Sequence, residues 1–194
     1  PPPLRGHILT PLTQPSQTWT QLAQLDDHQV RRQLPYIALM ALLPAIAWYF
    51  GTTYVGWLVS EHSLVNTIVP ESSLPLMALF YVALVGSVVI TGFLIHWMSE
   101  TFGAKCIPER GILLAGYAAT PIFVAGIAGI APLLWLDLMI ASVAMCYAIY
   151  LLYAGVPKMM GVNEDQGFMF ASSILAATLV IVVAVMATTV ILWD

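Results

Sequence analysis

Charged residues are scarce in this chain, and their scarcity limits the class of protein. Of 194 residues, 8% are charged and 60% are apolar, and the mean hydropathy is +0.87. A soluble domain carries roughly 25% charged residues. Six basic and ten acidic residues cannot cover the surface of a 21.1 kDa globule in water. The composition therefore excludes a soluble enzyme, a nucleic-acid-binding protein and a disordered protein, and it predicts an integral membrane protein.

Basic charge and cysteine are also in short supply. The formal net charge is −4, so no positive field is available to attract nucleic acid. Cys106 lies in a polar loop and Cys146 in an apolar run, and this pair matches neither a disulfide framework nor a zinc motif. Residues 1–33 lack the apolar core of a signal peptide, so we expect insertion to depend on the first membrane span.

Long apolar runs are what the chain has in abundance. Five of them reach the ~20 residues with which a helix crosses a hydrocarbon core of ~30 Å. A backbone in lipid must satisfy its own hydrogen bonds, so each run is predicted to be a helix. The predicted fold is an all-α integral membrane bundle of five transmembrane helices. The spans cover about residues 34–58, 74–98, 112–131, 133–154 and 172–193 of a transmembrane domain at residues 34–194.

Proline and glycine mark where these helices start, bend and stop. Pro75 suits the first turn of the second helix. Pro44 and Pro121 lie inside spans and are predicted to kink them. The Gly155–Pro157 segment is predicted to close the fourth helix.

Lysine and arginine predict the orientation. With five spans, all basic residues fall in segments on the same side, which the positive-inside rule makes cytoplasmic. The N-terminus is then cytoplasmic and the C-terminus lies across the membrane. These basic residues are Arg5, Arg31, Arg32, Lys105, Arg110 and Lys158.

The predicted cytoplasmic segment, residues 1–33, has a helical stretch near its end. Trp19, Leu22 and Ala23 share one face of a helix within residues 16–33. This pattern is typical of a short helix on the cytoplasmic leaflet. A simple linker is an equal alternative.

Ionisable side chains are missing from the middle of every predicted span, which argues against a proton- or ion-coupled transporter. Catalysis needs a nucleophile with a base, or paired carboxylates. Glu164 and Asp165 are adjacent, but no serine or histidine is near them in sequence, which favours a solvated loop that caps the next helix. We predict no catalytic residue, no cofactor and no enzyme activity.

One weak metal-ligand pattern is present. His96 and Glu100 are four residues apart on one helical face, and Cys106 follows. This spacing is common and has no second partner motif. We therefore predict a polar helix end rather than a metal site.

Small residues at four-residue spacing indicate close helix packing. Gly116 and Thr120 form one such pair, and Ala144 and Ala148 form another. We expect these positions to supply contacts in a homo-oligomer.

Hydroxyl groups cluster on the third and fourth predicted helices. They either line a polar pocket between these helices or satisfy the backbone of a kinked helix, and we favour the second interpretation. The residues are Tyr117, Thr120, Tyr147 and Tyr150.

Three motifs follow one another in a recognisable order. Gly51–Trp57 closes the first span, Ala115–Pro121 opens the third, and Tyr150–Pro157 is followed by Asn163–Gly167. Together they resemble the YIP family of five-span membrane proteins, and most closely its bacterial inner-membrane branch, the YohC-like proteins. The resemblance extends from about Trp19 onward.

This resemblance implies a multi-pass protein of the bacterial inner (cytoplasmic) membrane. Eukaryotic members of the family bind small Rab-type GTPases and act in vesicle traffic between the endoplasmic reticulum and the Golgi. Their N-terminal Asp-Leu-Tyr-Gly-Pro motif has no counterpart here, where the corresponding stretch is Thr18–Leu25. The family has no accepted catalytic residues.

The favoured interpretation is a non-enzymatic scaffold or partner-interaction protein in membrane organisation or trafficking. It would contact the lipid bilayer and other membrane or cytoplasmic proteins. The alternative is a transporter or channel for a small neutral solute, an ion or a lipid. The residues predicted to bind a partner are Lys158, Asn163, Glu164, Asp165 and Gln166.

Overall fold

The computed structural model describes residues 14–56, 70–104, 106–131 and 133–193. The start of the N-terminal segment, the end of the predicted first span beyond Gly56, and Lys105 lie outside the described residues. Those that are described are almost entirely helical, which confirms the all-α prediction. The helices are α1 (Pro15–Ala23), α2 (Asp27–Phe50), α3 (Pro70–Ser99), α4 (Pro108–Ala118), α5 (Thr120–Ala125), α6 (Leu134–Met160) and α7 (Glu164–Trp193).

Three short irregular helical turns join or extend these helices. A π-helical turn at Gly51–Val55 continues α2. A 3-10 turn at Glu100–Phe102 follows α3, and a second at Gly126–Ile130 follows α5.

Three described stretches are long and apolar enough to cross a membrane: Asp27–Val55, Ser72–Phe102 and Leu134–Met160. A fourth candidate is the pair Pro108–Ala118 and Thr120–Ile130, which is bent by 43°. Helix α7 covers the region of the predicted fifth span, but the count of five stays a prediction.

Two predicted helix ends are wrong. Helix α3 begins at Pro70, so Pro75 lies inside the helix and not in its first turn. Helix α6 continues through Pro157 to Met160, where Gly161 ends it with a φ of 66°. Glycine adopts this left-handed conformation at little cost, so it ends the helix where a proline does not.

The predicted kink at Pro121 is confirmed. The chain bends by 43° between α4 and α5. Ala119 is the turn residue, and its N–H still donates to the carbonyl of Ala115 at 2.9 Å. Proline lacks an N–H and clashes with the preceding turn, so the break comes directly before it.

The two ends of the bundle are built differently, and we name them by their residues. The basic end comprises residues 14–33, 96–104, 106–112 and 155–167. The far end comprises residues 43–56, 122–131 and 133–139. Two helices approach closely near the basic end, where Gly92 on α3 lies against the backbone of Ile112, and Gly111 against the carbonyl of Gly92.

Candidate functional site: the basic end of the bundle

Helix α1 is packed onto the protein at the basic end. Trp19 and Leu22 are fully buried. Gly155 makes room for the indole, since a Cβ there would lie 2.8 Å from Cε2 of Trp19 and 2.8 Å from Cδ1 of Leu114. The apolar face that the sequence predicts for lipid contact is therefore turned toward α4 and α6. The predicted boundary at residue 33 falls within α2, which begins at Asp27.

Arg110 holds the end of α1 in place. Its guanidinium donates hydrogen bonds to the carbonyl oxygens of Ala23, at 3.2 Å, and Leu25, at 2.8 Å. It also lies 3.7 Å from the carboxylate of Asp27, and 18% of its side chain is exposed. Carbonyl groups at a helix C-terminus lack partners within the helix and carry partial negative charge, so a cation stabilises them. Sequence reasoning used Arg110 only for orientation.

A second ion pair lies nearby. Arg31 on α2 and Glu109 on α4 approach to 3.0 Å, with 66% and 25% of their side chains exposed. The start of α2 carries a capping box, in which the N–H of Asp26 donates to Oε1 of Gln29 at 3.1 Å. These contacts tie α1, α2 and α4 together.

The residues predicted to bind a partner all lie at the turn between α6 and α7. All five are exposed. Asn163 caps α7, because its Oδ1 accepts a hydrogen bond from the N–H of Gln166 at 2.8 Å. Below the turn, a Cβ on the buried Gly167 would lie 2.7 Å from Cβ of Pro157. We call Lys158, Asn163, Glu164, Asp165 and Gln166 the turn patch.

The predicted hydroxyl cluster divides into two separate groups of residues. Tyr117 stacks on Tyr36 of α2, with ring centroids 4.7 Å apart. The hydroxyls of Tyr36 and Thr120 hydrogen-bond at 3.2 Å, and Thr120 is fully buried. Tyr147 and Tyr150 stack on each other at 5.7 Å, and Tyr150 is exposed. No local sequence pattern marks Tyr36 as the partner of Thr120, because the two residues are 84 positions apart.

Thr120 also acts on the bend between α4 and α5. Its hydroxyl donates to the carbonyl of Gly116 at 3.4 Å. A hydroxyl in this position supplies a partner to backbone near a proline break. This geometry supports the interpretation that the hydroxyl satisfies a bent backbone.

The predicted packing residues lie within the chain's own bundle. A Cβ on Gly116 would overlap the side chain of Ile37 on α2. Thr120 is fully buried, and Ala144 and Ala148 are each only 8% exposed. These positions therefore pack against helices of the same chain, and a role for them in oligomer contacts stays a prediction.

The three weak metal candidates do not come together as a ligand group. Nδ1 of His96 hydrogen-bonds to the carbonyl oxygen of Cys106, and the Cys106 thiol donates to the carbonyl of Ile107 at 3.1 Å. Among the described residues, no group of three or more histidine, cysteine or acidic side chains is placed to hold a metal ion. Burial raises the pKa of the Cys106 thiol to about 11, although the nearby Arg110 opposes this.

Comparison with known proteins identifies the family. The Yip1 domain family matches residues 9–186. The chain is 34% identical over 158 residues to the inner membrane protein YohC of Escherichia coli strain K12, a match that covers 81% of this chain and 80% of the relative. YohC of E. coli O6:H1 strain CFT073 matches with the same identity and coverage. No solved structure matches. A Yip1 match over most of a helical, strongly apolar chain shows that this membrane protein belongs to the Yip1 family.

Proposed function

We propose that this chain is a non-enzymatic scaffold of the bacterial inner membrane that binds another membrane or cytoplasmic protein through the turn patch. Five spans, with the basic end in the cytoplasm, form part of this proposal. The observation that carries it is the contrast within the α6–α7 turn. The turn patch is exposed. Beside it, Gly155 is packed against the indole of Trp19, and Gly167 against the ring of Pro157.

A surface of this kind suits recognition, because rigid backbone holds exposed polar groups in place. The Asn163 cap fixes the start of α7. Glu164 and Asp165 occupy the first helical turn, where the helix dipole favours carboxylates. Lys158 reaches the carbonyl of Ser16 on α1 at 3.5 Å, so the turn patch adjoins α1. A partner that binds the two carboxylates would present a basic surface.

Location supports the same proposal. The E. coli relative is named an inner membrane protein. Basic side chains collect at one end of the bundle, as the positive-inside rule predicts for a cytoplasmic face. Trafficking or membrane organisation, which the eukaryotic family members serve, is the process we propose.

Crosslinking in native membranes tests the proposal. The full chain is crosslinked, solubilised in detergent and purified, and its partners are identified by mass spectrometry. The test variant carries Glu164→Gln and Asp165→Asn, which remove both charges and keep the side-chain shapes. We expect the crosslinked partner to fall at least fivefold in this variant.

Glu100→Gln is the matched control, because it neutralises an exposed carboxylate at the basic end that lies outside the turn patch. It should retain most of the partner. Equal recovery with the wild type and the charge-neutralised variant contradicts the proposal. If the chain is recovered alone, solute flux in proteoliposomes becomes the test of the transport alternative, with Tyr117→Phe and Tyr150→Phe as variants.

A further inference from the structure

The far end carries an open pocket of about 500 Å³ on the outer side of the bundle. It lies between the last turns of α2 with their π-helical extension and the 3-10 turn at Gly126–Ile130. Eight described residues line it, and all are apolar except Tyr54. We call it the far-end groove.

The backbone explains why the groove is there. Gly51 lies against the carbonyl of Gly129, and a Cβ on Gly51 would overlap it. The two segments therefore touch at this point. The π-helical turn then widens the end of α2, and such turns are frequent at functional sites. Beside the contact, Ile127 and Ile130 stay 41% and 50% exposed.

The size of the groove argues against a second copy of the chain as its occupant. A stable protein interface takes roughly 20–30 residues from each side. The described lining of the groove comprises eight residues. Its volume instead lies within the ~300–1,000 Å³ typical of small-molecule sites.

The position and the lining of the far-end groove indicate the chemical class of its ligand. The groove lies at the end of Asp27–Val55, a stretch long and apolar enough to span a membrane. Tyr49, Phe50 and Tyr54 pack against one another there, as aromatic side chains do at the level of lipid headgroups. The described lining residues carry no charge that could hold a headgroup or an ion. We propose that the far-end groove binds one acyl chain of a membrane phospholipid.

This proposal is independent of the scaffold function, because the turn patch lies at the opposite end of the bundle. A variant of the groove leaves the turn patch intact, and the reverse also holds. Failure of one proposal therefore leaves the other standing.

Native mass spectrometry of the purified full chain tests the groove. The protein is delipidated in mild detergent and titrated with 1-palmitoyl-2-oleoyl-phosphatidylglycerol. The filling variant carries Ile127→Trp and Ile130→Trp. Its matched control is Val82→Trp, on an exposed face of α3 outside the groove, where Val82 is 63% exposed. We expect one retained lipid in the wild type and the control, and at least a fivefold loss of it in the filling variant.

A second variant guards against misfolding. Leu43→Gln places an amide in the groove without added bulk, and it should also release the lipid. Equal lipid retention in the filling variant, in Leu43→Gln and in the wild type overturns the proposal. Equal loss in the Val82→Trp control overturns it as well, because the lipid would then be bound without reference to the groove. A dimer mass in place of the lipid adduct assigns the groove to a second copy and also overturns it.

Discussion

The helices pack differently at the two ends of this bundle. At the basic end, the indole of Trp19 fills a notch over Gly155, and Arg110 binds the end of α1. At the far end, α2 and its π-helical extension lie against Gly126 and Gly129, and an apolar groove stays open beside these contacts. We attribute the difference to the surroundings: the proposed acyl-chain groove faces lipid, whereas the docking site of α1 adjoins charged, exposed side chains. An apolar gap exposed to water is unfavourable, whereas lipid chains can occupy the same gap in a membrane.

Charge shows the same contrast. The basic end has both of the described ion pairs, Arg31–Glu109 and Arg110–Asp27. At the far end, Asp137 in the first turn of α6 has both carboxylate oxygens buried, with no hydrogen-bond partner in the described part of the chain. The N-terminal helix dipole is the favourable interaction that its position offers. The following predictions test how firmly each contact holds its end, from the largest effect to the smallest.

Trp19→Ala should cause the largest loss. Removing a fully buried tryptophan leaves a cavity and costs about 3–5 kcal/mol. Helix α1 should then detach and become sensitive to limited proteolysis. Trp97→Ala is the matched control, because Trp97 is 76% exposed. Thermal unfolding in detergent compares the two, and equal losses would show that Trp19 does not anchor α1.

Gly92→Ala should be the next most damaging change. The added Cβ overlaps the backbone of Ile112, and backbone yields less readily than a flexible side chain. Overpacking of this kind costs about 1–3 kcal/mol. Gly86→Ala, on the same helix, has nothing within 4 Å of the new Cβ and should be tolerated. Denaturant unfolding compares the free energies of unfolding of the two variants. Equal values would contradict the close packing of α3 on α4.

Arg110→Met should cost about 2 kcal/mol. It removes a charged donor and leaves the carbonyls of Ala23 and Leu25 without that partner. Arg31→Met should cost less than about 1 kcal/mol, because its ion pair is largely exposed. A shift of similar size in both melting temperatures would argue that Arg110 contributes only as a surface charge.

Cys106 should react slowly with a water-soluble maleimide. Its thiol is buried and its pKa is about 11, so it is protonated at pH 7, and the thiolate is the reactive form. In a Cys146→Ala background, the rate should rise as the pH approaches 11. Trp19→Ala added to this background should speed labelling if α1 contributes to the protection. Fast labelling at pH 7 in the folded parent would contradict the burial.

Sequence reasoning predicted some features of this molecule well. Apolar runs located the long helices, three of which are long and apolar enough to cross a membrane, because hydropathy sums over neighbours along the chain. Pro121 located the bend, because a missing N–H acts on its own helix. The same reasoning failed at Pro75 and Pro157, because both prolines lie inside helices that continue past them.

The candidate site was only partly predictable. Exposure of the turn patch follows from its polar residues and their position between two apolar runs. The role of Arg110 does not, since its partners lie 85 and 87 residues away in sequence. Gly116 showed that helices pack closely there, but no sequence pattern distinguishes α2 of the same chain from a helix of another copy.

The sequence by itself determined the membrane class, the helical fold and the membership of the Yip1 family. These properties depend on composition, on local hydrogen bonding and on matched motifs, all of which can be read along the chain. Only the tertiary structure decided that α1 docks over Gly155, that Tyr36 meets Thr120, and that the far end stays open as a groove. Each of these depends on which helices meet and at what distance, and packing between residues distant in sequence sets that choice.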